Sequence, residues 1–167
     1  GDDAAAPPTS TTIPIPAAVV DPGDGGDYRP NVDPAEFIDG IDNPYMPFTV
    51  GSRWLYEGES DGEVERIEIT VLDETRVVMG ITATVVRDSV YIDDELVEDT
   101  FDWFAQDRDG NVWYLGEDVK DYENGVVVST AGSWEAGVDG ALPGIVMPAA
   151  PVTGAAFRQE YLAAEAE

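Results

Sequence analysis

The chain has 167 residues and a strong acidic imbalance: 35 Asp and Glu against eight Lys and Arg give a formal charge of −27 at pH 7. This length suits one domain of ordinary size, and the 43% hydrophobic content is enough for a core. The charge repels nucleic-acid phosphates and anionic membranes, so the expected partner is a protein with a basic surface or a small neutral or cationic ligand. The absence of Cys and His excludes disulfides, Cys/His zinc sites, thiol nucleophiles and imidazole bases.

The first 27 residues differ from the rest, because they are rich in Ala, Pro, Thr and Asp and contain no aromatic residue. Such a composition predicts a flexible or polyproline-like tether. The segment begins Gly1-Asp2-Asp3 without Met, as a bacterial lipoprotein does directly after its lipidated Cys. We therefore expect an extracytoplasmic protein, in the periplasm or at the cell surface, that meets the membrane only through an N-terminal lipid anchor. An ordinary signal-peptidase product is the alternative.

Residues 28–50 are expected to form a structured lead-in to the domain. The stretch 34–38 predicts one helical turn, with Asp33 as N-cap and Pro34 at the first helical position. The stretch 43–48, Asn-Pro-Tyr-Met-Pro-Phe, predicts an extended bend that brings its aromatic side chains to the core, since two prolines at this spacing forbid a helix.

From Arg53 onward, short β patterns alternate with turn residues. The two-residue period is clear where Ile67, Ile69 and Val71 alternate with polar residues. Asn124-Gly125 is the strongest hairpin signal in the chain, and the Gly/Pro-rich stretch 132–154 predicts a long ordered loop. The predicted strands are 53–57, 63–72, 76–79, 81–92, 95–106, 111–116, 119–122, 126–130 and 155–162.

This spacing predicts a mainly β fold: an antiparallel meander sheet or a partly closed β-barrel, with a long Gly/Pro-rich loop and little helix. Residues 28–167 would form a single antiparallel β domain. Its abrupt end after Leu162 leads us to expect that the native chain continues past Glu167.

The first candidate site is an acidic loop that could hold Ca²⁺. Asp107, Asp109 and Asn111 supply oxygen atoms at alternating positions, and Asp118 follows at the twelfth position. The EF-hand pattern fails, because Gly110 is fourth rather than sixth and the twelfth residue is Asp rather than Glu. The alternative is an ordinary β-turn in which Asp caps its own backbone. No other cofactor is expected.

The second candidate site is a set of aromatic side chains that could bind a ligand in a β-cup. Because Trp103-Phe104 and Trp113-Tyr114 are adjacent pairs, one member of each pair must lie on the second face of its strand. That second face is either covered by the Gly/Pro-rich loop or exposed as a binding patch. The predicted ligand-binding residues are Trp54, Tyr56, Trp103, Trp113, Tyr114 and Trp134.

A pair of neighbouring carboxylates is weak evidence for catalysis here, because 35 acidic residues make close acid pairs unavoidable. Lys120 is a poor base, since Glu117, Asp118 and Asp121 around it would keep its pKa high. No catalytic residue is therefore assigned from the sequence.

Several motifs resemble a group of exported bacterial proteins and lipoproteins. They are the NPYMPF opening at 43–48, GSRWLY at 51–56, EDTFDWFAQD at 98–107, GNVWYLGED at 110–118 and GSWEAGVDG at 132–140. The resemblance covers about residues 40–162. It implies export, a β-rich fold and a longer C-terminus, and it carries no activity and no functional residue.

The expected function is a non-enzymatic extracytoplasmic binding or accessory protein, anchored by lipid, that engages a protein partner or a small ligand. A carboxylate-dependent hydrolase and a calcium-stabilised surface protein are the alternatives.

Overall fold

The computed structural model describes residues 28–60 and 62–162. The predicted tether at 1–27 and the last five residues lie outside this range. The described elements are a 3₁₀ turn (Pro34–Glu36) and the strands β1 (Phe37–Ile38), β2 (Arg53–Ser60), β3 (Glu63–Val78), β4 (Ile81–Ile92), β5 (Glu95–Asp107), β6 (Val112–Glu123), β7 (Val126–Ser129), β8 (Trp134–Glu135), β9 (Leu142–Met147) and β10 (Glu160–Tyr161).

The strands form one antiparallel sheet in the order β10-β9-β6-β5-β4-β3-β2, which curls into a half-barrel. β2 to β6 form a meander, because each pairs with the next along the chain. The far side of β6 is occupied in turn by β9, β8 and β7, and β1 pairs with the end of β5. The predicted mainly β, antiparallel fold with little helix is confirmed. In the described part, no helix is long and apolar enough to cross a membrane.

One predicted turn and one predicted gap between strands are instead irregularities within continuous strands. The stretch 73–75 is a register shift inside β3, between Val71 and Thr75. The predicted strands 111–116 and 119–122 are one continuous strand, β6 (Val112–Glu123), that is distorted at Gly116 (φ +138°). A Cβ on Gly116 would lie 2.4 Å from the backbone oxygen of Trp134, so only glycine allows β8 to approach here.

The Gly/Pro-rich stretch 132–154 is not wholly a loop, because it contains β8 and β9. β9 has the sequence Leu-Pro-Gly-Ile-Val-Met, whose Pro and Gly argue against a strand on sequence grounds. Gly144 is required there by close packing, since a Cβ would lie 2.2 Å from the backbone oxygen of Arg158. The predicted strand 155–162 is reduced to Glu160–Tyr161.

The lead-in fastens itself to the sheet through polar contacts. The Asp33 side chain accepts a hydrogen bond from the Ala35 N–H (3.0 Å), as predicted for an N-cap. Asn43 is buried, and its amide donates to the carbonyls of Gly110 (2.8 Å) and Pro148 (3.3 Å). This one side chain therefore joins the lead-in to the β5–β6 turn and to the segment after β9.

The bend at 43–48 delivers one of its two aromatic rings to the core. Phe48 packs between Trp54 of β2 (ring centroids 5.8 Å apart) and Phe104 of β5 (5.2 Å). The expectation was wrong for Tyr45, which is 61% exposed. In a flat sheet, β2 and β5 would be about 14 Å apart, so the sheet curls towards the face that Phe48 covers. We call this face, which carries Trp54, Ile69 and Asp88, the inner face, and the opposite one the outer face.

Candidate functional site

The register across β2 to β6 places three rows of directly opposed residues on the inner face. The first row is Val71, Val86, Asp102, Glu117 and Trp134. The second is Trp54, Ile69, Asp88, Thr100 and Val119. The third is Tyr56, Ile67, Val90, Glu98 and Asp121. On β2 and β3 this face is therefore apolar and aromatic, and all of its acidic residues lie on β4 to β6, among Val and Thr residues. We call Asp88, Glu98, Asp102 and Glu117 the acidic patch.

Asp102 lies at the centre of the acidic patch. Burial, with smaller contributions from the charges of Glu117, Asp88 and Glu98, raises the pKa of its carboxyl from 3.8 to about 7. The Tyr114 hydroxyl opposes this rise by donating a hydrogen bond of 2.6 Å to Asp102 Oδ1. Asp102 therefore titrates near neutral pH and is held in place by a buried phenol.

Glu117 lies directly across from Asp102 on the neighbouring strand. Its carboxylate accepts a hydrogen bond from Trp134 Nε1 (3.1 Å). Burial raises the pKa of Glu117, and the charge of Glu160 on β10 adds to the rise. The pKa of Glu160 is itself raised by burial. The acidic patch thus continues to the far edge of the sheet.

Asp88 carries an unsatisfied acceptor. Its Oδ1 is buried without a hydrogen-bond partner among the described residues. Burial, together with the charge of Glu98, raises the pKa of Asp88 from 3.8 to about 6. A buried carboxylate oxygen without a donor is costly, so this atom would gain from a donor supplied by another molecule.

The basic side chains of the strands lie on the other side of the sheet. In the register, Arg53, Arg66, Arg76, Arg87 and Lys120 all belong to the outer face. There they pair with acidic side chains, as in Arg87 Nε to Asp99 Oδ1 (2.6 Å) and Arg66 to Glu68. Of the remaining described Arg residues, Arg158 packs over the rings of Tyr28 and Tyr161. The acidic patch therefore receives no basic side chain from strands β2 to β6.

Lys120 pairs with Asp118 on the outer face, at 2.8 Å. That hydrogen bond raises the pKa of Lys120. The prediction that acidic neighbours hold this pKa up is confirmed.

Four of the six aromatic residues predicted from the sequence are buried: Trp103, Trp113, Tyr114 and Trp134. On the outer face, Trp113 packs edge-on against Phe37 (6.1 Å) and Trp103 lies under the Arg76 guanidinium (3.9 Å). The second face of these strands, which is the outer face, is thus covered at Trp103 and Trp113. The lead-in supplies part of this cover through Phe37, so the Gly/Pro-rich loop is not its sole source.

Trp54 is half-buried and Tyr56 is 54% exposed. These two rings are neighbours on the inner face of β2 and belong to the apolar half of that face. The ligand-binding role of the six residues stays a prediction, and these two offer the accessible surface for it.

Three of the predicted calcium ligands, Asp107, Asp109 and Asn111, lie in one turn, and the structure places the fourth, Asp118, apart from them. Asp107 accepts hydrogen bonds from the Asn111 N–H (2.8 Å), Asn111 Nδ2 (2.9 Å) and Trp113 Nε1 (2.8 Å), as a turn-capping residue does. Asp109 is exposed in the same turn. Asp118 pairs with Phe101, six residues from Asp107 along β5 or about 20 Å away. Within 28–60 and 62–162, no three acidic side chains are grouped to hold a metal ion. The geometry favours the turn interpretation.

The acidic patch was missed from the sequence, although its residues left a signal. Asp88 falls between Val86 and Val90, at a position where the two-residue period expects an apolar side chain. Asp102 and Glu117 lie opposite each other on β5 and β6, in the row next to that of Asp88, but this alignment requires the register and the bulge at Gly116.

No family model, no curated protein and no solved structure matches the chain. The resemblance to exported bacterial proteins therefore stays a prediction.

Proposed function

We propose that this domain is a non-enzymatic extracytoplasmic binding protein, held at the membrane by an N-terminal lipid, whose inner face takes a positively charged group of a ligand or partner protein. The observation that carries the proposal is the segregation of charge. Asp88, Asp102 and Glu117 face inward with raised pKa values, while the strand-borne Arg and Lys residues face outward.

The raised pKa values point to a cation as the missing partner. An acid whose pKa is raised by burial and by like charges is costly to ionise, and an opposite charge nearby removes part of that cost. A bound amine or guanidinium would thus stabilise the ionised patch, and it would also donate a hydrogen bond to Asp88 Oδ1. A cation relieves the repulsion among the ionised acids, and this relief contributes to its binding free energy.

The apolar half of the inner face suggests the rest of the ligand. Ile69 lies directly opposite Asp88, and Trp54 and Tyr56 lie one strand further away, on β2. A cation with an attached apolar body could place its charge on the acidic patch and its body on these side chains. Alkylamines and the side chains of basic peptides have this chemistry.

The test is calorimetric titration of the 167-residue chain with octylamine, octanol and a Lys-rich peptide. Octylamine should bind at pH 8 and lose at least tenfold in affinity at pH 5, because Asp102 and Asp88 take up protons between these values. Octanol should bind weakly at both values. Asp102→Asn should cost octylamine roughly tenfold in affinity, and Asp73→Asn, an exposed acid on β3, should cost nothing. Equal binding of octanol and octylamine would contradict the proposal.

The location requires a separate test with the full-length precursor in its native cells. The mature protein should fractionate with the membrane and take up radiolabelled palmitate. Recovery in the cytoplasmic fraction without label would contradict the extracytoplasmic part of the proposal and leave the ligand chemistry to the titration.

A second candidate function is a carboxylate-dependent hydrolase. Asp102, with a pKa near 7, faces Glu117 across one strand pair, and a glycosidase needs such a proton donor next to a second carboxylate. Both pKa values are raised, however, whereas the second carboxylate of a glycosidase stays ionised. Release of nitrophenol from a panel of nitrophenyl glycosides and esters, lost in Asp102→Asn, would favour the enzyme over the binding protein.

A further inference from the structure

β2 is an edge strand: among the described residues, no strand pairs with the backbone edge of β2 that points away from β3. It ends the sheet order and pairs only with β3, over eight residues without a register shift. Leu55 and Tyr56 in its middle are 59% and 54% exposed. Long, regular edge strands with exposed apolar residues pair with other strands unless charge, Pro or a bulge prevents it.

The hydrogen bonds between the start of β2 and β3 show which backbone groups of β2 point away from the sheet. Val71 donates to the Ser52 carbonyl (3.0 Å) and accepts from the Gly51 N–H (2.9 Å), so the Ser52 carbonyl points towards β3 and the Arg53 N–H of the same peptide points away. Because this direction alternates along a strand, the N–H and C=O groups of Arg53, Leu55 and Glu57 point away from the sheet. These three residues can form a new ladder.

The sequence of this edge is self-complementary. If two β2 strands run antiparallel with Leu55 opposite Leu55 of a second copy, Arg53 lies opposite Glu57 of that copy, and Glu57 opposite its Arg53. Trp54 then lies opposite Tyr56 on the inner face, at the closer, non-hydrogen-bonded type of pair. This one register forms two opposite-charge pairs, one apolar pair and two aromatic pairs. It also places the outward N–H and C=O groups of each β2 opposite those of the other, so that they can hydrogen-bond.

We propose that the protein forms a two-fold symmetric dimer through β2, with this register. The arrangement is isologous, since each contact occurs twice, and it joins the two sheets into one continuous sheet across the seam. The proposal is independent of the ligand proposed for the acidic patch. The charge of −27 on each copy opposes association, so the dimer should weaken at low salt and strengthen at 0.15 M NaCl, where the Debye length is about 8 Å.

The experiment is sedimentation equilibrium of the 167-residue chain and four variants at 0.15 M NaCl. Arg53→Glu and Glu57→Arg should each raise the dimer dissociation constant roughly tenfold, because each places two like-charged pairs at the seam. An equimolar mixture of these two variants should recover wild-type association, since every pair across the mixed seam is again opposite in charge. The double variant R53E/E57R should recover it as a homodimer.

The two single variants distinguish pairing at the seam from an effect of net charge, because they change the net charge in opposite directions. Arg53→Glu increases the net negative charge and Glu57→Arg decreases it, yet both should weaken the dimer. The control Glu95→Arg makes the same change as Glu57→Arg at the exposed first residue of β5, three strands away from β2, and should leave association unchanged or slightly stronger. Circular dichroism melting checks that each variant folds, because Arg53 also contacts Glu68 of its own chain.

A wild-type chain that stays monomeric at 200 µM would overturn the proposal. A dimer that Glu57→Arg leaves unchanged, or one that mixing the two single variants does not restore, would overturn it as well.

Discussion

Replacing Asp102 by Asn tests whether ionisation of this buried carboxyl, at the centre of the acidic patch, destabilises the folded protein. The amide has nearly the same shape as the carboxyl group, and its oxygen can still accept the 2.6 Å hydrogen bond from the Tyr114 hydroxyl. The substitution therefore removes the titration of Asp102 and little else. We expect Asp102→Asn to stabilise the folded protein above pH 7 and to change its stability little below pH 4.

The magnitude follows from the pKa of Asp102, which is about 7 in the folded state against 3.8 for the ordinary carboxyl. Between these values the folded state binds more protons than the unfolded state, so the free energy of unfolding falls as pH rises. Since one pKa unit corresponds to about 1.4 kcal/mol, ionised Asp102 destabilises the fold by on the order of 4 kcal/mol at pH 8. Coupling to Glu117 and Asp88 makes this an upper value for the gain from the single substitution.

The assay is urea unfolding of wild type and variant, followed by tryptophan fluorescence from pH 4 to pH 8.5. The difference in the free energy of unfolding should grow from near zero to several kcal/mol in favour of Asp102→Asn. The exposed Asp73→Asn should stay within about 0.5 kcal/mol of wild type at every pH. A difference that does not depend on pH, or one that favours the wild type at pH 8, would refute the buried ionisation on which the proposed function depends.

Three further expectations concern the surroundings of this patch and the turn at Asp107. Tyr114→Phe removes the donor to Asp102 and should raise the pKa of Asp102 still higher, as measured by carboxyl ¹³C NMR titration; an unchanged or lowered value would contradict the role given to the phenol. Gly116→Ala should lower the free energy of unfolding by more than about 2 kcal/mol, because its Cβ would lie 2.4 Å from the Trp134 carbonyl oxygen. Gly125→Ala, with a positive φ but open space around it, should cost only about 1 kcal/mol in the same urea series, and equal costs would refute the packing argument. Asp107→Ala should cost about 2 kcal/mol through its lost hydrogen bonds, while EDTA should leave the wild-type melting temperature unchanged; a fall of several degrees with EDTA would support calcium binding instead.

The strands of the meander could be predicted from the sequence because their signals are local. Alternating residues such as Ile67, Ile69 and Val71, and the Asn124-Gly125 hairpin between β6 and β7, depend only on near neighbours in the chain. The errors fall where distant contacts override the local signal. Gly116 resembles a turn residue, but it lies inside β6 because Trp134 packs directly over it.

The acidic patch could not be predicted because it depends on two properties that no local pattern carries. One is the register that aligns Val86, Asp102 and Glu117 across three strands, including the extra residue at the β6 bulge. The other is the direction in which the sheet curls. A face that alternates Glu98, Thr100 and Asp102 would ordinarily be assigned to solvent, yet Thr100 is only 3% exposed here.

The meander connectivity also has a consequence for how the chain reaches this structure. Strands β2 to β6 are each paired with their neighbour along the chain, so their hairpins close short loops and can form early. The lead-in docks onto residues more than 60 positions away, as in the hydrogen bond from the Asn43 N–H to Gln106. We therefore expect two kinetic stages, in which the hairpins form first and the lead-in then packs over Phe104, and the ring of Phe104 would stay exposed to water until that second stage.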